Sequence, residues 1–237
     1  MLNLLDDVLD AEERRQLLSA ARRRRFARNE VVFHEGDPAN SLHLLTSGHV
    51  SVRVALPDGN SVTLAIAGPG QTVGELALLG RDGRRAATVT ALEKCETLSI
   101  QREQFDAMRR DHPRLDRLLA EILADEVRRL DSRLLEFLYL PAEKRVLRRL
   151  AWLGRMYRPD APPGSADEAA NEAGELAVEA EPTVTVPLTQ DVIAGLAGAS
   201  RPTTNQALRA LEAARVIRIG RARIEILDAE ALHQRAR

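Results

Sequence analysis

The run Gly74-Glu75-Leu76-Ala77-Leu78, followed by Arg85-Ala86-Ala87-Thr88-Val89, decides how this chain is read. A glycine lets the backbone approach a ligand closely, and Glu75 beside it can accept hydrogen bonds from a sugar hydroxyl. If Glu75 to Leu79 turn helically, the free N–H groups at the start of that turn form an anion site. Arg85 supplies a planar, permanently charged fork that suits phosphate oxygens. A glutamate for ribose and an arginine for phosphate on one short cassette describe a pocket for a nucleotide monophosphate.

Outward from the cassette, short alternating runs fill Glu30 to about Ile100. They include Val31-Val32-Phe33, Leu42-His43-Leu44-Leu45, Val50-Ser51-Val52-Arg53-Val54 and Val62-Thr63-Leu64-Ala65-Ile66. Gly36-Asp37, Ser47-Gly48, Asp58-Gly59 and Pro69-Gly70 supply the turns. Strands this short at this spacing predict a compact antiparallel roll. Residues 1 to about 25 read as helical, with Asp10 to Glu13 resembling a capped first turn and Arg22–Arg25 as the helix's solvated end.

From about His112 to Tyr139 the period becomes helical. Leu119, Leu123, Val127, Leu130, Leu134 and Phe137 recur at three- and four-residue steps. That is a coiled-coil-like seam of about three heptads, long enough to pack on its own roll and still offer a stripe to a second subunit. Pro141 interrupts or restarts the helix, and Val146, Leu147, Leu150 and Leu153 continue an apolar face. Residues 158–182 carry prolines and then Asp167, Glu168, Glu172, Glu175, Glu179 and Glu181, and read as an acidic spacer.

The stretch Leu188 to Glu212 has the layout of a helix-turn-helix. Thr189 opens it; Val192, Ile193 and Leu196 give the first helix a buried face, and Gly198 allows the tight turn. Ser200 is a good N-cap, and Pro202 falls in the first turn, where its missing N–H costs nothing. Arg201, Thr203, Asn205, Gln206 and Arg209 point outward, a mixture able to address phosphates and base edges. A hairpin wing follows, with Arg218, Arg221 and Arg223. From Pro187 to Ile224 six arginines face two acids, a local balance of +4 in a chain whose net charge is −1.

The cassette closely resembles that of cyclic-nucleotide-binding domains, including those of cyclic-AMP-dependent kinase regulatory subunits. With a dimer helix and a winged helix-turn-helix behind it, the chain from about residue 5 to 230 resembles the bacterial cyclic-AMP receptor protein and fumarate–nitrate regulator family of transcription factors. The resemblance implies an α+β fold in three parts. Residues 1–111 would be an effector roll, jelly-roll-like, 112–140 a dimerisation helix, and 141–237 a winged helix-turn-helix carrying the acidic insertion. It implies a homodimer bound to double-stranded DNA at an inverted repeat, contacting RNA polymerase if it activates. Glu75 would hold the ribose and Arg85 the cyclic phosphate, with Gly74, Leu76, Ala77, Ala86 and Ala87 around them. Alanine at 86 leans towards cyclic AMP over cyclic GMP as effector. Where bacterial cyclic-AMP receptors present a threonine–serine pair to the adenine, this chain has Leu130-Asp131, with Ser132 next. Arg201 falls where the family commonly contacts guanine; Pro202 stands in place of a glutamate often used for base readout, and Gln206 in place of an arginine. A same-family regulator answering another ligand or none is the alternative, and a cyclic-nucleotide-binding subunit that does not bind DNA is a further one.

Composition narrows the class. At 237 residues the chain can hold two modest domains. A single cysteine, Cys95, excludes a disulfide framework within the chain and reads as a packing residue rather than a nucleophile. Met1 to Asp10 lacks a basic region, so it does not read as a secretory signal, and no apolar run approaches the roughly 20 residues that span a bilayer. The expected location is the cytoplasm. His34, His43 and His49 lack the close spacing of a cupin-type metal site, so no enzyme or metal centre is expected.

Overall fold

A computed structural model describes residues 8–59, 61–76, 83–158 and 183–237. Expectations for Ala77 and the rest of residues 77–82, for residues 1–7 and for residues 159–182 lie outside these. The chain divides into two compact units, Met1–Val127 and Arg128–Arg237.

In the first unit, helix α1 (Ala11–Ala20) starts on a capping box. The Asp10 carboxylate accepts from the Glu12 and Glu13 amides, and Glu13 accepts from Asp10 N at 3.0 Å. The helix stops sooner than the sequence suggests. Arg22–Phe26 is a strand, β1, paired along its length with β8 (Cys95–Gln101), so the helical reading to residue 25 is corrected. Pairing supplies partners for those backbone groups, and arginine heads remain in water, as an exposed edge strand permits.

The roll consists of two four-stranded antiparallel sheets. One orders β1, β8, β3 (Ser41–Ser47) and β6 (Thr72–Val73); the other orders β2 (Val31–Phe33), β7 (Thr88–Ala91), β4 (Val50–Ala55) and β5 (Ser61–Ala67). Alternation along β3 sorts its side chains between two cores. Leu42 and Leu44 join Leu17, Ile100, Phe105, Leu115, Leu118, Leu119 and Ile122. Leu45, on the other face, joins Phe26, Val50, Val73, Val89, Ala91 and Cys95 inside the roll. Cys95 is fully buried, and burial pushes its thiol up to about 11, as suits a packing residue.

Helix α2 (Arg102–Asp111), which the sequence did not signal, presents Phe105 to the first core. Helix α3 (Arg114–Tyr139) then runs through the unit boundary. Its seam is divided: Leu115, Leu118, Leu119 and Ile122 are buried, whereas Val127, Leu130, Leu134, Leu135, Phe137, Leu138 and Tyr139 are exposed.

In the second unit Pro141 caps α4 (Ala142–Met156). A three-stranded sheet orders β10 (Ile217–Gly220), β11 (Arg223–Ile226) and β9 (Val184–Val186). Helices α5 (Gln190–Ala197), α6 (Arg201–Ala213) and α7 (Ala229–Ala236) complete it. No described helix is long and apolar enough to cross a membrane.

Candidate functional site

Arg85 reaches the roll interior because its backbone is fastened to the loop before β3. Arg85 N donates to Asp37 O at 2.9 Å, and Gly36 N donates to Arg85 O at 2.9 Å. Its guanidinium is buried and lies 3.9 Å from the Phe33 ring centroid. Nη1 donates to Ser41 O at 2.7 Å and, at 3.5 Å, to Gly74 O; Nη2 donates to Ser41 Oγ at 2.8 Å. Ser41 therefore holds one edge of the fork. Nε is buried without a partner, and among the described residues no carboxylate lies within ion-pair distance. Burial pulls the Arg85 pKa down, while Asp37 and Glu75 oppose that shift from farther away.

Gly74 is required where it stands. Its φ is +81°, and a Cβ there would overlap Arg85 Nη1. Glu75 follows in a turn, and Leu76 is helical and exposed. Ala86 is exposed and Ala87 half-buried, leading into β7.

Behind Ser41 lies a polar row that the sequence did not flag. His43 Nε2 is 3.3 Å from Ser41 Oγ, and its Nδ1 is 3.2 Å from Thr97 Oγ1. The Ser41 hydroxyl accepts from Arg85, which leaves its own proton for Nε2, an arrangement that suits the neutral His43 tautomer with hydrogen on Nδ1. Burial, then the charges of Arg85 and Arg24, holds His43 down to about 4.

Leu130, Asp131 and Ser132 lie on the C-terminal half of α3, in the second unit. Leu130 and Asp131 are exposed, and Ser132 Oγ donates to Arg128 O at 3.0 Å.

The second unit's helix pair is built as the sequence predicts. Thr189 caps α5 by accepting from Val192 N, Gly198 turns at φ +53°, and Ser200 caps α6 by accepting from Thr203 N at 3.2 Å. Ile193, Leu196, Ala207, Leu208 and Leu211 are buried. Arg201, Asn205, Gln206 and Arg209 form an exposed face, with Thr203 half-buried. Three of these are engaged: Arg201 Nε meets Asp191 at 2.7 Å, and Arg209 Nε donates to Asn205 Oδ1 at 3.2 Å. In the wing Glu225 takes both Arg218, at 3.0 Å, and Arg223, at 3.2 Å. Glu225 falls just past the window counted from the sequence, so the wing is less positive than that count. Arg221, at the tip, has no ion pair among the described residues.

Comparison with known proteins matches residues 23–112 to the cyclic nucleotide-binding domain and residues 144–235 to the Crp-like helix-turn-helix domain. A CRP-like cAMP-activated global transcriptional regulator of Mycobacterium tuberculosis is 31% identical over 212 residues, covering 90% of this chain and 87% of that protein. The chain belongs to the cyclic-AMP receptor protein and fumarate–nitrate regulator family. A cyclic AMP receptor protein of Thermus thermophilus is 30% identical across 95% of this family member and 93% of its own length. The crystal structure of Thermus thermophilus catabolite activator protein, 30% identical, covers 98% of both chains with a TM-score of 0.51. The fold is also that of the c-di-GMP responsive regulator CLP of Xanthomonas campestris (TM-score 0.70, 22% identity, covering 92% of this chain and 99% of that one).

This family member is thus a DNA-binding transcription regulator with a cyclic-nucleotide-binding domain. Its sequence signalled Arg85 and the helix-turn-helix. Phe33, Ser41 and Thr97 carried no local signal, because each joins the site through a contact with a residue more than 40 positions away in the chain, as with Ser41 and Arg85. Among the described residues no cluster of metal-ligating side chains occurs.

Proposed function

We propose that this regulator is a homodimer that binds an inverted-repeat operator under the control of a cyclic nucleotide, cyclic AMP in preference to cyclic GMP, held in the roll. One observation carries the effector part: the buried Arg85 guanidinium has no bonded carboxylate among the described residues and an unpartnered Nε. A buried cation without a bound counterion is costly, and a cyclic phosphate would supply the missing charge and acceptors. Glu75 takes the ribose in this reading, with Gly74 and Ala86 giving close backbone approach. The three-part division into a roll (1–111), dimer helix (112–140) and winged helix-turn-helix (141–237) fits it. The exposed apolar half of α3 supports the homodimer, since a stripe of this size on one helix calls for a partner. A cytoplasmic location and a contact with RNA polymerase, if it activates, follow from transcription control.

Leu130-Asp131 supports a second reading, in which phosphate and ribose are recognised but the base, and so the preferred nucleotide, differs. Titration calorimetry with cyclic AMP and with cyclic GMP tests both. Binding of neither at millimolar concentration overturns the effector assignment, and tighter binding of cyclic GMP favours the second reading.

A further inference from the structure

Arg145 sits in the first turn of α4. A cation there opposes that helix's own dipole, which favours an acid such as Glu143. Its side chain serves two other helices instead. Nη1 donates to Leu140 O at 2.8 Å, one residue beyond α3. Nε donates to Ala197 O at 2.9 Å and Nη2 to Gly198 O at 2.9 Å, the last residue and the C-cap of α5. Carbonyls that two helix C-termini leave open are thereby closed by one guanidinium. Phe137 lies against it, with the ring centroid 4.6 Å from Arg145 Cζ. The same ring fills the space beside Gly198, where any Cβ would overlap it. Two residues past Gly198, Ser200 begins the recognition helix α6.

We infer that Arg145 is a positioning residue for DNA recognition. The joint of Phe137, Leu140, Arg145, Ala197 and Gly198 sets the attitude of α6 to the C-terminal half of α3. Two α6 helices carried on one pair of α3 helices then reach two half-sites at a fixed spacing. The inference rests on the homodimer reading. No other cationic side chain can replace this one: lysine presents a single point of charge and cannot hold both helix ends in a plane, and methionine keeps the stem but makes none of the bonds.

The test uses the full chain, an operator selected by wild type from random duplex DNA, and a duplex holding one half of that operator, all at one salt concentration. Wild type prefers the full site, since two linked contacts act together. Arg145→Met is expected to lose at least about tenfold of that preference while half-site affinity stays within about twofold, because avidity fails when geometry fails and local contact does not. An unchanged ratio of full-site to half-site affinity overturns the inference. So does a parallel loss on both duplexes, which marks damage to the recognition helix itself. Circular dichroism checks the fold, and if Arg145→Met does not fold, Arg145→Lys is read by the same ratio. Sedimentation separates the two layers: a monomeric wild type removes the homodimer reading and this inference together, whereas a dimeric wild type with an unchanged ratio removes this inference alone.

Discussion

Ser41 grips Arg85 twice, its carbonyl oxygen accepting from Nη1 at 2.7 Å and its hydroxyl accepting from Nη2 at 2.8 Å. With that edge held, Nε and the remaining Nη2 hydrogen are the donors left for an anion. Arg85→Ala should weaken cyclic-nucleotide binding tenfold or more, since a bond to a charged group is worth about 1.5–3 kcal/mol. Arg85→Lys should recover little, because the lysine cannot use the serine and the ligand in one plane. Ser41→Ala should lose about tenfold through the loosened fork. Calorimetry on the three variants decides it; a Ser41→Ala affinity equal to wild type would mean that the grip has no part in binding.

His43 gives the fold a pH dependence with a definite sign. Its folded pKa is about 4 against an ordinary value of 6.5, so the unfolded chain binds the extra proton. The stability tied to its neutral form is present above pH 6.5 and is lost as pH falls through the window towards 4. Between pH 7 and pH 5 wild type should lose about 2 kcal/mol relative to His43→Gln, which offers an acceptor and a donor without titrating. Urea unfolding of the roll at the two pH values measures this. Parallel losses in both proteins would show that His43 titrates as it does in water.

The exposed half of α3 predicts the assembly state. Leu130 and Leu134 are about half exposed and lie one turn apart on the helix. Leu130→Glu with Leu134→Glu would bury unpaired charge at a dimer axis, so sedimentation should show a dimer for wild type and a monomer for the double variant. A wild-type monomer at micromolar concentration rules the seam out as an interface.

On DNA, Arg201 and Arg221 should differ in kind. Arg201→Ala should relax preference at one base pair, with a loss of about 1–3 kcal/mol confined to cognate sequence. Arg221→Ala should weaken all sequences alike and lower the salt slope by about one. Gel-shift titrations over a salt series, on selected and scrambled duplexes, separate the two. Uniform loss in both variants would move base reading away from the start of α6.

Local signals made some of this legible in the sequence. The Asp10–Glu13 capping box and Gly198 with Ser200 and Pro202 are read within a few residues each, and the structure forms the corresponding turns and caps. The four arginines of strand β1 carry no alternation, and its pairing partners lie about 70 residues later. Helix α2 buries only Phe105, too little apolar rhythm to mark a helix in the sequence. His43 looked like one residue of an apolar strand. Only the sheet pairing and the approach of Arg85 turn it into part of a polar row. Arg145 carries no local sequence signal, since its three carbonyl partners belong to two other helix ends.

The pairing of Arg201 with Asp191 bears on how the regulator searches a genome. If Arg201 reads bases as proposed, Asp191 would repel the phosphate backbone and compete for that cation on unrelated sequence, so random sites would draw little from Arg201. On that reading, a guanine edge offering two acceptors in the right place would offset the release of that carboxylate. Asp191→Asn should therefore tighten binding everywhere, and cost the protein its ability to leave the wrong site quickly.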